Sequence, residues 1–265
     1  MTSSLMTVSA CWEVGAKVSI EYAINKPSHY YFCPEINCLE KVVPVQGKVN
    51  IYFRAPSRHA SGCKHEKDVN EDSQVSGTRK IISPATPITI IPNHLGEIPV
   101  IRNNSIPLKS QLRALAQTMQ DAPAIQPGTL QDVVEAWVNM TLNDRHNYKI
   151  EIANQKLSYF SAFTLLGNTV TDIMTTKWNI TITSGKAFVE FFNGSFYIKT
   201  FSRFSTGGTT APIRIRVKPG DTYFNQLVHK TTIKIFLHVP TPTLNGNSQF
   251  FDIASAMPYS GFIIM

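Results

Sequence analysis

His29-Tyr30-Tyr31-Phe32-Cys33-Pro34-Glu35-Ile36-Asn37-Cys38 is a short aromatic run that ends in two cysteines with four residues between them. That spacing lets the chain fold back as a knuckle with both thiolates facing one ion. Val42-Val43-Pro44-Val45-Gln46-Gly47-Lys48-Val49-Asn50-Ile51-Tyr52-Phe53 follows, two β-rich runs around a glycine. It predicts a β-hairpin in which Gly47 supplies the positive φ of a tight turn. The hairpin returns the chain to Arg58-His59-Ala60-Ser61-Gly62-Cys63, a second knuckle with three residues between its ligands. Twenty residues separate Cys38 from His59. The pattern is that of a two-knuckle ribbon, a module too small to stabilise itself without a metal ion.

Thiolate and imidazole are ligands that suit tetrahedral zinc. Cys33, Cys38 and Cys63 supply three, and His59 is the expected fourth. His65 also stands near Cys63, but a Cys-x-His pair forces a cramped chelate, and His29 is a third candidate. A closed set of three cysteines and one histidine leaves no position for a catalytic water, so the site is expected to be structural. Cys11 stands apart from this group and reads as a small buried apolar residue.

Tyr31-Phe32-Cys33-Pro34, the hairpin, Tyr52-Phe53-Arg54-Ala55 and the His59-x-x-x-Cys63 pair together resemble the amino-terminal zinc ribbon of competence CoiA-type proteins and of related uncharacterised bacterial proteins. The resemblance covers about residues 10–66. In that family the second hairpin strand ends in His-Phe-Ala-His; Tyr52, Phe53, Arg54 and Ala55 occupy the matching positions, so the family's histidine ligand is absent and His59 is its replacement. The resemblance also implies a following nuclease-like domain with a Glu, an Asp and a Glu-x-Lys metal pattern. No equivalent stands in this sequence, so nuclease activity does not carry over, and a divergent nuclease is the least favoured reading.

Outward from the ribbon, residues 64–80 are charged and polar and read as a linker. Residues 81–107 carry prolines at 84, 87, 92, 99 and 107, which forbid long helices and predict an extended connector. The expected division is a zinc-ribbon domain over residues 1–66, a polar then proline-rich connector over 67–107, and an α+β domain over 108–265. Within the last, residues 108–119 place apolar side chains at helical spacing. Thr129 and Asp132 approximate a capping box ahead of Val133, Val134, Trp137 and Val138.

From Asn147 the pattern turns to β, with strand-like runs at 177–183, 187–192, 196–201, 212–218 and 231–239. Asn193-Gly194, between two alternating runs, is a strong hairpin signal. The expected fold class is therefore α+β and mainly β: an N-terminal zinc ribbon, a short helical middle, and a C-terminal small β-barrel or twisted antiparallel sheet, with an OB-like barrel as the natural form.

Net charge is +7, and its excess lies in the second half, where 10 Lys/Arg face 5 Asp/Glu over residues 150–265. Such a balance favours anionic partners, nucleic acid first. In the run Pro212-Ile213-Arg214-Ile215-Arg216-Val217-Lys218, alternation puts Arg214, Arg216 and Lys218 on one side of a strand. Lys199, Arg203 and Lys234 lie on neighbouring strands, and Tyr197, Phe201, Phe204 and Tyr223 are the rings expected to stack bases. The same pattern also fits a plain solvated face. Acidic residues in this half are scattered, and no nucleophile, phosphate-loop or paired-histidine motif is present. Two readings follow: a non-enzymatic zinc-ribbon protein that binds single-stranded or structured nucleic acid, or an assembly component of a bacterial defence or mobile-element system that binds a protein partner. No apolar run approaches the length of a membrane span and the amino terminus lacks a secretory pattern, so a cytoplasmic location is expected.

Overall fold

The structure, a computed structural model, describes residues 5–48, 50–66, 91–103, 105–167, 169–247, 249–253, 259 and 261–265. Most of the polar linker and the first part of the proline-rich connector lie outside the described residues. The chain forms two compact units, Met1–Ile90 with Ile98–Pro127, and Ile91–Glu97 with Gly128–Met265.

The first unit contains β1 (Val8–Cys11), β2 (Ala16–Ser19), α1 (Ile20–Asn25), β3 (Tyr31–Phe32), β4 (Lys41–Gln46), β5 (Ile51–Arg54) and α2 (Lys109–Thr118). Its strands form one antiparallel sheet in the order β2-β1-β3-β4-β5. The two residues of β3 are both buried, and because side chains alternate along a strand they serve opposite faces. Tyr31 packs with Cys33, Cys38, Val42 and Phe53 on one side, where the knuckles sit. Phe32 packs on the other with Ala10, Trp12 and Leu39, and α2 covers that side. The helix meets it through Leu112, Leu115, Ala116 and Met119, a three- and four-residue spacing that makes one stripe. Burying each leucine or methionine of that stripe contributes about 1.5–3 kcal/mol. So α2, which the sequence grouped with the C-terminal part, belongs to the first unit.

The β4–β5 hairpin forms as expected, but Gly47 does not adopt a positive φ. Its N–H donates to the Asn50 carbonyl at 2.9 Å, and a Cβ there would stand 2.9 Å from that same oxygen. Close approach of backbone, rather than a left-handed turn, is what requires glycine here.

The second unit begins with β6 (His94–Leu95), is entered again at β7 (Pro127–Gly128), and continues through α3 (Leu130–Asn139), α4 (Leu142–Asn147), β8 (Lys149–Ile152), β9 (Gln155–Ser158), α5 (Tyr159–Ala162), β10 (Phe163–Leu165) and β11 (Val170–Asp172). Then come the long strands β12 (Ile182–Phe192), β13 (Ser195–Thr206), β14 (Thr209–Val217) and β15 (Thr232–His238), followed by β16 (Thr243–Leu244), β17 (Phe251–Asp252) and β18 (Gly261–Ile264). Strands β6, β8 and β9 make a small sheet, closed at one edge where Gly96 N–H donates to the Gly128 carbonyl. The capping box at α3 is present: Asp132 N–H donates to Thr129 Oγ1, and Thr129 N–H donates to Asp132 Oδ2. Trp137 is buried and stacks on Phe163 with ring centroids 4.6 Å apart.

The larger sheet runs β16-β17-β14-β13-β12-β15-β18, with β10 added parallel to β12 and β11 parallel to β13. Asn193-Gly194 turns β12 into β13 with both residues at positive φ, and Gly207-Gly208 does the same between β13 and β14. A register shift between Lys199 and Arg203 on β13 sharpens the local twist, and the sheet curls into a half-barrel. The expected strand at 177–183 begins only at Ile182; before it, Thr181 N–H and Oγ1 bond back to the Lys177 carbonyl in a turn, and the Trp178 indole is buried, donating to the Ile173 carbonyl. One face of the sheet carries the main core, including Ile198, Ile213, Ile215 and Ile235. The opposite face is covered by α3 and α5 residues near Ile182 and Phe236, and is open from Phe188 to Phe192. Among the described residues, no helix is long and apolar enough to cross a membrane.

Candidate metal centre and basic sheet face

Cys33 follows β3 directly, and its N–H donates to the Glu40 carbonyl, which holds the first knuckle at the sheet edge. The turn to Cys38 is fixed by Cys38 and Leu39 N–H groups donating to the Glu35 carbonyl, with Leu39 at φ 57. The β4–β5 hairpin then delivers the chain to His59 and Cys63, where Cys63 N–H donates to the Ala60 carbonyl.

The four side chains converge. Cys33 Sγ lies 3.7 Å from Cys63 Sγ, and His59 Nδ1 lies 3.3 Å from Cys38 Sγ and 3.8 Å from Cys63 Sγ. All four ligand atoms fall within 4.8 Å of one another. Zinc bonds of about 2.3 Å to sulfur and about 2.05 Å to nitrogen, set at tetrahedral angles, place two sulfurs about 3.8 Å apart and sulfur and nitrogen about 3.6 Å apart. The observed separations are the edges of such a tetrahedron, so these residues are placed to hold a metal ion. Backbone N–H groups of Ala60 and His65 point at Cys38 Sγ and Cys63 Sγ and orient them.

Burial pushes the Cys33 and Cys63 thiols up, so their thiolates require a nearby positive charge. Burial, helped by His65, pulls His59 down, which leaves its imidazole neutral and its lone pair free for a metal. His65 sits beside this centre with its ring 5.8 Å from that of His59, outside the converging group. His29 is brought elsewhere, to Cys11. Among the described residues His94, His146, His229 and His238 join no such cluster.

The basic residues expected on the C-terminal sheet do share a face. Register sets Lys199 opposite Arg214 and Tyr197 opposite Arg216 across β13 and β14. Arg203, past the register shift, stands opposite Pro212 on the same side and donates to the Thr210 carbonyl. Lys234 pairs in register with Lys186 on β15 and β12, and Lys218 lies just past the end of β14. Two of these cations are partly neutralised: Lys199 pairs with Glu190, and Arg214 lies 3.5 Å from Asp252.

Aromatic placement departs from expectation. Phe204 is fully buried in the main core, and Tyr223 packs against Phe262. The rings on the basic face are Tyr197, Phe201, Phe188, Phe192 and Phe250. Phe188 stacks on Phe201 with centroids 3.7 Å apart, and Arg214 lies 4.3 Å over Phe250 and 5.8 Å over Tyr197. A shallow cavity of about 280 Å³ is lined by Glu190, Phe192, Tyr197, Lys199, Arg214 and Phe250, and a larger one of about 790 Å³ opens beside Phe201, Lys186 and Lys234. Phe188 and Phe192 were legible in the alternation of AFVEFF, whose even-numbered positions oppose the buried Ala187. Phe250 reaches the face only through the chain's return at β17, for which no local pattern exists.

No protein-family model, curated protein or solved structure matches this chain.

Proposed function

We propose that this chain is a non-enzymatic zinc protein that binds single-stranded or structured nucleic acid on the basic face of its C-terminal sheet. The observation that carries the reading is the interleaving of cations and rings: Lys199, Arg214 and Arg216 alternate with Tyr197, Phe250 and the Phe188–Phe201 stack on one open surface. Cations follow a phosphate backbone while rings stack on unpaired bases, and a curled antiparallel sheet of the OB-like kind presents both at once. The ion is zinc, because three thiolates and one imidazole form a soft, closed set suited to it. Its part is structural, joining strands that the small first unit could not otherwise hold together.

The test is binding of a labelled single-stranded oligonucleotide by the full chain over a range of salt concentrations. Affinity should fall steeply with salt, and Arg214→Glu with Arg216→Glu should abolish binding while the far-ultraviolet spectrum is unchanged. Absence of binding at about 50 mM salt would remove the reading. Phe191 and Phe192, each 59% exposed at the β12–β13 turn, favour a second reading, docking of a protein partner in an assembly. Retention of a partner that persists at high salt would select it.

A further inference from the structure

A second cluster of ligand-type side chains lies in the first unit, apart from the two knuckles. Cys11 closes β1 and is fully buried. Glu13, two residues on in the turn toward β2, is 1% exposed. His29 is carried to them by the pairing of β1 with β3, in which Cys11 stands opposite Tyr31 and Trp12 N–H donates to the Tyr30 carbonyl. Cys11 Sγ lies 3.5 Å from Glu13 Oε2 and 3.7 Å from His29 Nδ1, and the three ligand atoms all fall within 4.8 Å of one another. The Tyr22 hydroxyl is 3.4 Å from the same His29 nitrogen.

Two features distinguish this cluster from an ordinary hydrogen-bonded core. The separations match the edges of a tetrahedral site, where sulfur stands about 3.6 Å from an imidazole nitrogen or a carboxylate oxygen. And the buried Glu13 carboxylate has no Lys or Arg partner among the described residues; it accepts from the Tyr30 N–H, 2.9 Å from each oxygen, and from the Cys11 thiol. A buried carboxylate without a cation is costly, and one amide does not compensate it.

We propose that Cys11, Glu13 and His29 form a second metal site for a divalent cation of borderline softness, zinc or a transition metal of similar preference. A thiolate and a carboxylate cancel the ion's two charges, which suits a site closed off from water. The donor set is one sulfur, one nitrogen and one oxygen, which differs from the thiolate-rich ribbon and admits metals that accept mixed sulfur, nitrogen and oxygen donors, such as cobalt and iron. Three protein ligands leave one tetrahedral position of the ion for a further small ligand. This site stands independently of the ribbon and of nucleic-acid binding.

The experiment uses the full chain stripped of metal and titrated with Co²⁺, whose thiolate charge-transfer and ligand-field bands report bound metal by type. The wild type should bind two equivalents. Glu13→Gln and His29→Ala should each bind one, with the thiolate-rich spectrum of the ribbon retained, and His59→Ala should lose the ribbon spectrum and keep the other. One equivalent in the wild type, carrying only the thiolate-rich ribbon spectrum, would overturn the proposal whether or not the variants fold. So would two equivalents that persist in both Glu13→Gln and His29→Ala, since the second ion would then lie elsewhere. Loss of the ribbon spectrum alone, with the Cys11 band present, would count against the ribbon and leave this site standing.

Discussion

Cys33 Sγ and Cys63 Sγ lie 3.7 Å apart although they stand 30 positions apart in sequence. A buried and a half-buried thiol at that distance, with Cys38 and His59 closing the figure, are held by the β4–β5 hairpin that links the knuckles.

The ligand identity of His59 is directly testable. Changes beside a metal site cost about 10–100-fold in affinity, and removal of a ligand costs more. His59→Ala should therefore lose the ribbon's equivalent of zinc in metal analysis of the purified protein, with a lower melting temperature. His65→Ala should keep it, with less than about 10-fold weakening in a chelator competition. Loss on His65→Ala with retention on His59→Ala would show that the second knuckle uses the other histidine.

The ring stack on the basic face makes a separate prediction. Phe188→Ala and Phe201→Ala should each weaken single-stranded DNA binding by about 1–3 kcal/mol, the range for base–aromatic stacking. The slope of affinity against salt should stay as in the wild type, because no phosphate contact is removed. A changed slope with unchanged affinity at low salt would mean that the rings do not touch bases.

His238 provides a pH signature away from both metal clusters. It is largely buried, its Nδ1–H donates to the Thr181 carbonyl at 3.3 Å, and burial pulls it below its ordinary value against the opposing pull of that bond. A histidine whose folded value is depressed favours the fold fully above the unfolded value of about 6.5. That contribution is lost as pH falls from there through the folded value, since the unfolded chain takes up the proton first. The melting temperature should thus drop between pH 7.5 and 5, and a His238→Gln variant should show a shallower drop. Parallel curves for the two proteins would refute the assignment.

The cap of α3 is expected to behave as a coupled pair. Thr129→Ala and Asp132→Ala remove opposite halves of one box and should each cost about 1 kcal/mol in chemical denaturation. The double variant should cost less than the two together. Strict additivity would mean that the two bonds act separately.

Much of this protein was determined locally. The Cys33, Cys38, His59 and Cys63 set follows from spacing, because a knuckle is a short-range turn and a hairpin returns its ends to the same place. Helix α2 follows from apolar period, α3 from apolar period and its capping box, and the β12–β13 turn from Asn193-Gly194. The split of β14 into Ile213, Ile215 and Val217 inward against Arg214 and Arg216 outward is simple alternation, and the burial agrees with it.

What only the tertiary structure decided has a common physical cause: it depends on which face of an element another part of the chain covers. Phe204 keeps the parity of the buried Ile198 and so faces the core, whereas Phe250 reaches the basic face only because the chain returns beside it into β17, a strand paired in parallel with β14. Helix α2 reads as amphipathic by itself, but nothing local says that its stripe meets Trp12 and Phe32. Cys11, Glu13 and His29 carry no motif, since an antiparallel pairing brings residues together by register and leaves no fixed spacing to read. The knuckles were written in short-range spacing, and the second cluster exists only once β1 and β3 have paired.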